Sequence, residues 1–505
     1  MRYLNKIFRL SFCFIVSIGY VFSQEITVRD SKTSVSLSNV YIYNEAKTKS
    51  IITDSEGRAS LSNFSTNEKV YFQLLGYQLL EFELSEFLND SFEIYLDLES
   101  QNLEEVILSV ARSESNADEI AEKVSVIKAE DLYLTAPASS AEVLELSPGV
   151  RIQKSQGGGG SPVIRGFEAN RVLIVVDGVR MNNAIYRSGH LQNSITIDPN
   201  NIDRVEIIYG SSSVGYGSDA LGGVVHYYTK TPSLKDSIKI KSSFSSNFNT
   251  VNSSLSNSFS TNYSKENWGF FSTISISKFG NIEMGKRRKH GYENWGLNNY
   301  YSKNSRYTFQ ENVSVNQNPS VQQNTGYSQV DFFQKFLFKL PYQSLLNLNI
   351  QYSESSDIDR YDKLSEEKSG ELKFSEWYYG PQKRLLISPS LKFFSQKPLL
   401  KKGRITLSYQ MAEESRINRK FNSVVRASQL EKVNILSLNG DFDTSFDKGH
   451  ALAYGIEGTL NNVHSNAYSQ NIIIDGSVIS DLGPKQNIPT RYPSDGSSYK
   501  SFAMY

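Results

Sequence analysis

Strict alternation of apolar and polar residues runs through the second half of the chain. In the stretch RITLSYQM (404–411) every odd-numbered residue is apolar and every even-numbered residue is polar. In LNLNIQYS (346–353) the same alternation places the apolar residues at even numbers. Because successive side chains of a β-strand point to opposite faces, each stretch predicts a strand with one apolar face and one face that seeks water. Water-soluble sandwiches and membrane barrels both alternate in this way, so the pattern alone leaves both architectures open.

The lengths of the connections between these strands favour one of the two architectures. Short turns are predicted at 264–267, 340–344 and 446–450, and long polar connections at 281–326, 355–382 and 465–496. Alternating short and long connections are typical of a membrane β-barrel with short periplasmic turns and long outer loops. Loops of this length are uncommon in a compact soluble domain. Residues 233–505 therefore predict about ten strands of an antiparallel, membrane-spanning barrel wall.

The first half of the chain predicts two further domains. Residues 24–102 contain short strands separated by turn residues, which is typical of a small β-sandwich. After a linker at 103–113, residues 114–232 predict an α+β domain with a capped helix at Ser139–Leu146 and a buried strand at Val172–Val176. Between that helix and that strand, four glycines in QGGGGSPVIRGF indicate a backbone that bends or is approached closely.

The N-terminal segment, residues 1–23, predicts a secretory signal. Three basic residues precede the apolar run Leu10–Phe22, and small residues follow at the expected cleavage position. A single membrane anchor is the alternative. Cys13 is the only cysteine of the chain and lies inside this segment, so the mature chain is expected to have no disulfide and no cysteine-ligated metal.

Charge and composition narrow the functional classes. The chain has 53 Lys and Arg against 53 Asp and Glu, so it has no basic excess of the kind that nucleic-acid binding requires. We find no nucleophile–base set and no metal-binding motif in the sequence, so we interpret the protein as one without enzymatic activity.

Several motifs resemble one family, the TonB-dependent outer-membrane receptors. The stretches SPVIRGF, RVLIVVDGVRMN, IDRVEIIYG and YGSDALGGVVHYYTK resemble, in this order, the plug domain of that family. Residues 24–102 resemble its carboxypeptidase-regulatory-like module, and LEEVILSV lies where its TonB box lies. The stretches NNAIYRSGHLQNSITIDPN and MGKRRKHGYENWG resemble the haem and haemoglobin receptor branch.

The resemblance implies a mainly β protein in the bacterial outer membrane. It would consist of the small sandwich, an α+β plug at 114–232, and an antiparallel transmembrane barrel of 22 strands, of which this chain would hold about ten. The implied activity is import of an iron-containing ligand, with haem first and haemoglobin as its source. A ferric siderophore receptor and a non-transporting adhesin are the alternatives. No intrinsic cofactor is implied, and the other contacts would be the TonB–ExbB–ExbD complex and outer-membrane lipid.

The resemblance also assigns roles to individual residues. His190 is expected to ligate haem iron, with Tyr186 stacking on the porphyrin or binding iron and Arg187 pairing with a propionate. His290 and His464 are further candidates for ligand binding. The expected TonB contact is an extended segment that adds a strand to its partner, formed by Leu103, Glu104, Glu105, Val106, Ile107, Leu108, Ser109 and Val110. Polar contacts between plug and barrel are expected from Arg165, Arg171, Arg180, Asp203, Arg204 and Glu206, each of which is otherwise an ordinary surface charge.

Overall fold

A computed structural model describes residues 25–505 except 32, 66, 75–76, 85–92, 98–105, 108–114, 117–121, 186–193, 212, 236, 288, 369–370 and 447–449. The predicted signal at 1–23 lies outside the described residues. The chain forms two compact units, Met1–Glu105 and Val106–Tyr505, and each is described by itself.

The first unit is a β-sandwich. Its described strands are β1 (Glu25–Asp30), β2 (Tyr41–Asn44), β3 (Ser50–Ile52), β4 (Arg58–Ser60), β5 (Lys69–Gln73), β6 (Leu80–Glu83) and β7 (Glu93–Leu96). They form one sheet in the order β4-β1-β7 and a second in the order β3-β2-β5-β6. The apolar residues of both sheets, among them Val28, Ile42, Phe72 and Leu96, share one core from which water is excluded. Burial of this shared core holds the two sheets face to face.

The second unit begins with the plug. Its strands are β8 (Val106–Ile107), β9 (Ser115–Asn116), β10 (Val124–Lys128), β11 (Val150–Gln153), β12 (Ser161–Ile164), β13 (Val172–Val176), β14 (Val179–Arg180), β15 (Ile202–Tyr209) and β16 (Gly223–Thr229). Its α-helices are α1 (Ala129–Thr135), α2 (Ser140–Val143) and α3 (Ser213–Tyr216). Short 3₁₀ turns lie at Leu144–Leu146, Ala169–Arg171, Ser194–Thr196, Pro199–Asn201 and Ser218–Ala220.

The centre of the plug is a five-stranded sheet in the order β10-β15-β16-β13-β14. All five residues of β13 are buried, and β13 pairs in parallel with β16, which confirms the predicted doubly buried strand. The predicted helix at 139–146 forms as α2 and the 3₁₀ turn after it, with the Ser139 hydroxyl accepting from the Glu142 amide at 3.4 Å. Helix α1, which we did not predict, begins after Lys128, whose amide donates to the Asp131 carboxylate.

The rest of the unit is a wall sheet. Ten long antiparallel strands form it: β17 (Lys239–Asn249), β18 (Ser254–Ser264), β19 (Trp268–Phe279), β24 (Tyr327–Lys339), β25 (Leu345–Ser355), β30 (Lys383–Lys397), β31 (Leu400–Lys420), β32 (Val425–Ser445), β33 (Ala451–Asp475) and β36 (Ser497–Met504). Shorter strands in the connections are β20 (Ile282–Glu283), β21 (Tyr300–Tyr301), β22 (Ser314–Val315), β23 (Val321–Gln322), β26 (Ile358–Asp359), β27 (Glu367–Lys368), β28 (Glu371–Leu372), β29 (Phe374–Tyr379), β34 (Val478–Leu482) and β35 (Gln486–Asn487), with one helical turn, α4 (Tyr361–Leu364).

Burial along the wall sheet is opposite to that of a soluble sheet. In β31 the polar side chains Ser408 and Gln410 are 1% and 4% exposed, whereas Leu407 and Tyr409 on the other face are 45% and 39% exposed. A sandwich in water buries its apolar face, so this wall turns its apolar face outward to lipid and its polar face towards the plug. The structure therefore has the partial transmembrane barrel wall that the sequence predicted.

The short turns between the wall strands lie where the sequence predicted them. At the other end of the strands, the connections are shorter than predicted. Short turns join β18 to β19, β24 to β25 and β32 to β33, as predicted. However, β33 extends through Asp475, so that residues 465–475 are strand and not loop. Likewise β31 and β32 are joined by only four residues, 421–424. Polar strand ends that project beyond the bilayer resemble loops in composition, which explains this error.

None of the helices in the described ranges combines the length and the apolarity that a helical membrane span requires.

The outward apolar face generates a testable prediction. Leu438 and Leu452 lie on this face in neighbouring strands and are both 45% exposed, but Leu438 lies midway along β32 and Leu452 next to a short turn. We expect Leu438→Arg to destabilise the barrel by about 2–4 kcal/mol, because it places a charge at the bilayer midplane, and Leu452→Arg by about 0–1 kcal/mol. Urea unfolding in lipid vesicles measures both. Equal losses in the two variants would contradict this placement of the bilayer.

Candidate functional site

Contact between plug and wall centres on the carboxylate of Asp177. This residue occupies the tight turn between β13 and β14, with φ of 47°. Its carboxylate accepts hydrogen bonds from the Thr229 amide at 3.0 Å and from the Asn349 side-chain amide of β25 at 2.8 Å. The ammonium of Lys335, on β24, lies 3.1 Å from the same carboxylate. The wall thus holds the plug at a turn and at the end of its last strand.

The Lys335 ammonium is buried, and three oxygen partners surround it. The side chain is 1% exposed, and besides the carboxylate it donates to the Thr229 carbonyl at 3.1 Å and to the Thr231 hydroxyl at 3.2 Å. An ammonium has three donors, so these partners match its capacity. A buried charge with a full set of partners is tolerated, whereas loss of one partner of such a pair is costly. We call Asp177, Thr229, Lys335 and Asn349 the anchor.

A second group of contacts joins the plug to β19 and β24. The Ser275 hydroxyl donates to the Asp198 carboxylate at 2.6 Å, and the Gln329 side-chain amide donates to the Ile195 carbonyl at 2.8 Å. Burial raises the pKa of the Asp198 carboxyl, while the hydrogen bonds from Ser275 and Asn200 oppose that shift. Beside these polar contacts, Ile195 of the plug packs in one buried apolar cluster with Tyr327 of β24 and Ile358 of β26.

A third group of contacts lies at Arg180. Its guanidinium forms an ion pair with Glu457 of β33 and lies 3.4 Å from Asp219 within the plug. The Gln410 side chain donates to the Arg180 carbonyl at 2.9 Å, and the Asn439 side chain donates to the Gly178 carbonyl at 3.0 Å. Burial raises the pKa of the Asp219 carboxyl, and the neighbouring guanidinium opposes the shift.

The glycine-rich stretch lies where the plug backbone touches the wall. A Cβ atom added to Gly157 would lie 2.0 Å from the carbonyl oxygen of Thr325, and one added to Gly158 would lie 2.6 Å from Ile195 and 2.7 Å from Tyr327. The expectation of a closely approached backbone is thus confirmed at these two positions.

Of the six predicted plug–wall residues, the structure places Arg180 in contact with the wall. Arg204 donates to Glu206 at 2.8 Å inside the plug, because residues two apart on β15 share a face. Arg165 lies 5.5 Å from the ring centre of Tyr209, also within the plug. The contacts given for Arg165, Arg204 and Glu206 thus lie within the plug, and Arg171 and Asp203 are exposed.

The histidines predicted for ligand binding are placed differently. His190, Tyr186 and Arg187 lie outside the described residues. His290 is fully exposed on the connection between β20 and β21, 3.3 Å from Glu293. His464 follows Val463, whose side chain packs against the plug, so His464 lies on the face of β33 turned away from the plug. His464 was a candidate because the sequence placed it next to the long connection at 465–496, but it lies within β33, which continues to Asp475.

The predicted TonB segment is described only in part. Val106–Ile107 forms β8 and pairs with β9. Leu103, Glu104, Glu105, Leu108, Ser109 and Val110 lie outside the described residues.

Arginines and aromatic rings form a layer above the plug tip, which we call the vestibule layer. The tip is Ala184–Ile185, whose backbone accepts a hydrogen bond from Tyr492 at 3.1 Å and donates one to Asn461 at 3.2 Å. On β31, Arg416 lies six residues beyond Gln410 and on the same, plug-facing side. These positions put Arg416 above the tip, at the outer end of the wall.

Neighbouring side chains complete the vestibule layer. The Arg416 guanidinium lies 5.9 Å from the ring centre of Tyr379, its partner on β29. The Arg491 guanidinium lies 3.5 Å from the Glu431 carboxylate and 5.4 Å from the ring centre of Tyr492. Guanidinium groups bind carboxylates and stack on aromatic faces, so the layer suits a ligand that is both anionic and flat.

The sequence analysis missed the anchor, although a signal was present. In YSQVDFFQKFLFK an Asp and a Lys lie four residues apart on one face of a predicted membrane strand. A charge inside such a strand is tolerated only where it faces the lumen and has a partner, so Asp331 and Lys335 could have been proposed as plug contacts.

Comparison with known proteins agrees with this geometry. Residues 116–224 match the family model TonB-dependent Receptor Plug Domain. Residues 116–224 are therefore similar to the plug domain of TonB-dependent receptors. With its lipid-facing strands, the chain is assigned to the bacterial outer membrane.

Curated relatives match over part of the chain. The vitamin B12 transporter BtuB of Vibrio vulnificus is 37% identical over 133 residues, covering 26% of this chain and 21% of its own length. The Hemin receptor of Yersinia enterocolitica is 34% identical over 125 residues, covering 25% of this chain and 18% of its own length. The alignments thus span about a fifth of the length of these relatives.

Solved structures extend the likeness to the wall. P. aeruginosa FpvA bound to heterologous pyoverdines has a TM-score of 0.50 at 11% identity and covers 85% of this chain and 57% of its own. The copper transporter OprC has a TM-score of 0.50 at 13% identity and covers 72% of this chain and 48% of its own. At these identities the two structures show the fold alone.

The anchor generates a testable prediction. We expect Lys335→Ala to reduce the free energy of unfolding of the seated plug by about 3 kcal/mol, the lower end of the range for a buried pair, because the Asp177 carboxylate, 17% exposed, loses its ion-pair partner. Lys339→Ala, at an exposed position in the same strand, is the matched control, with an expected change within about 0.5 kcal/mol. Limited proteolysis of the plug in urea measures both. Equal resistance of the two variants would contradict the role of the anchor.

Proposed function

We propose that the protein imports a bulky, anionic iron chelate across the outer membrane, with energy supplied from the inner membrane. The observation that carries the proposal is the vestibule layer above the plug tip. Arg416 and Arg491 offer charge-assisted hydrogen bonds to anionic oxygens, and Tyr379 and Tyr492 offer aromatic faces to a flat ligand. A plug held by exchangeable polar contacts is compatible with release during transport.

Haem is the ligand that we place first. It combines a flat ring with two carboxylates, which matches the chemistry of the vestibule layer. The segment with His190, Tyr186 and Arg187 follows Ile185 of the plug tip in sequence, and a neutral imidazole is a good axial ligand for haem iron. Likeness to a Hemin receptor supports this choice, and haemoglobin is the source that the sequence resemblance suggests.

A ferric siderophore is the second candidate. It needs basic and aromatic residues in the vestibule but no axial histidine, and the vestibule layer supplies both residue types. A spectroscopic titration distinguishes the two ligands, because haem bound through histidine changes its Soret absorption band.

The TonB segment provides a route for the energy. A periplasmic partner that pairs with Leu103–Val110 as an added strand would pull directly on the chain that leads into β10 of the plug. An adhesin that holds its ligand without transport has no use for such a segment, which favours import.

The ligand prediction concerns Arg416. We expect Arg416→Ala to weaken haemin binding by about tenfold, because it removes one hydrogen bond between charged groups. Arg404→Ala is the matched control, since Arg404 lies on the same face of β31 at its inner end. The Soret band of the full-length receptor titrated with haemin measures affinity, and His190→Ala should change the band shape. An unchanged band in His190→Ala would remove that residue as ligand, and binding of a ferric siderophore but not haemin would favour the second candidate.

The transport prediction concerns the TonB segment. Deletion of Leu103–Val110 should abolish growth on the chelate as sole iron source, because the plug can no longer be pulled, while chelate binding to intact cells stays unchanged. Measurement of both in the same strain separates import from adhesion. Growth of the deletion strain at the wild-type rate would refute energy coupling through this segment.

A further inference from the structure

A large pocket opens on the side of the wall that faces away from the plug. It has a volume of about 780 Å³ and is lined mainly, though not only, by alternate residues of β31, β32 and β33, including Glu413, Lys432 and His464. Gln410, Val433 and Asn461 on the same strands contact the plug or pack against it. Residues an odd number of positions away from these face the opposite side, so the floor of the pocket lies on the outward surface.

The floor of the pocket lies at the outer edge of the apolar, lipid-facing band of the wall. Lys383, Glu413, Lys432 and His464 are neighbours across four strands and form a charged row. Ten residues below Lys432 on the same face lies Phe442, and the exposed residues Leu436 and Leu438 lie between them. Ten residues of a strand tilted by about 40° rise roughly 25 Å, which equals the height of the apolar band of an outer-membrane barrel. The pocket therefore begins where the hydrocarbon ends.

The connections between the outer ends of the wall strands cover this pocket. Tyr307 and Thr308 pair with the hairpin that follows β33, at Val478 and Ile479. Arg306 and Tyr378 reach the pocket from above. A buried ion pair between Glu376 and Arg426 holds β29 against β32 and fixes the roof. The pocket is thus bounded by the wall strands below and by these connections above.

The pocket lining combines charged, hydroxyl and amide groups with a few apolar side chains. The lysines have partners at 2.7 Å (Lys383 to Glu354) and 2.8 Å (Lys432 to Glu413), yet each ammonium has three donors and is 30% and 46% exposed, respectively. Ser428, Asn466 and Tyr468 supply hydrogen bonds of the kind that sugars accept. A soluble ligand would gain nothing from a position directly above a lipid-facing surface, whereas a lipid headgroup is held there by its own acyl chains.

We propose that this pocket binds the phosphorylated sugar headgroup of a glycolipid of the outer leaflet, with Lys383 and Lys432 contacting phosphate and the acyl chains lying along the apolar face below. Lipid bound in this way would support the roof of the pocket and, through it, the outer connections of the barrel.

The test uses the full-length protein extracted from outer membranes in mild detergent, freed of lipid and mixed with bis-phosphorylated lipid A. Native mass spectrometry measures the occupancy. We expect Lys383→Gln combined with Lys432→Gln to lower the affinity about 30-fold, because each lysine near a lipid phosphate contributes about 1 kcal/mol. Lys401→Gln is the matched control, since Lys401 lies on the same outward face at the inner end of β31.

The outcomes separate a specific site from general lipid adhesion. Retained affinity in Lys401→Gln together with loss in the double variant supports the proposal, as does weaker binding of dephosphorylated lipid A to the unmodified protein. Equal affinity of the double variant and the unmodified protein would overturn the proposal. So would equal binding of phosphatidylethanolamine and lipid A, because the site would then recognise acyl chains alone. A thermal unfolding scan of each variant without lipid shows whether the fold is intact.

Discussion

Inside a hydrocarbon layer no water is available to a backbone amide or carbonyl, so each such group must find its partner within the protein. The strands of the wall sheet from β18 to β33 meet that constraint by pairing with an antiparallel neighbour on each side. Once the backbone is paired, the side chains decide which face meets lipid. The alternation in β31 and β25 puts Leu, Ile and Tyr on the lipid side and Ser, Thr, Asn and Gln on the other. A lumen lined with hydrogen-bonding groups follows directly from that arrangement.

A polar lumen determines how a second domain can be held inside it. The plug has its own apolar core, which includes β13 and β16, and therefore keeps its shape independently of the wall. Its contacts with the wall are mostly single hydrogen bonds to side-chain amides and hydroxyls, whose net contribution is small because water can replace each partner. The anchor is different, since Lys335 is almost fully buried and cannot exchange its partners for water without moving. The seat of the plug thus combines many single hydrogen bonds and two small apolar clusters with two ion pairs, Asp177–Lys335 and Arg180–Glu457.

The sequence predicted the architecture better than the site, and the reason is physical. Strand alternation and turn residues are local properties, so the wall, the helix at Ser139–Leu146 and the buried strand at Val172–Val176 could be predicted. The partner of a charged residue is a property of the tertiary fold. Thus Arg180 was proposed as a wall contact without its partner Glu457, and Arg204 was proposed although it pairs with Glu206 on its own strand. His464 was misplaced because the polar outer half of β33, which continues to Asp475, resembles a loop in composition.

The wall strands that project beyond the bilayer determine how closely a large molecule can approach the plug. β33 has 25 residues, which is about 80 Å of extended chain and roughly 60 Å of height at the tilt usual for such barrels, more than twice the thickness of the apolar band. The outer ends of the wall therefore stand well clear of the membrane as a rim. A globular carrier protein docked on this rim would be kept tens of ångströms from Ile185, so in the proposed import a small cargo would have to leave its carrier before it reaches the plug.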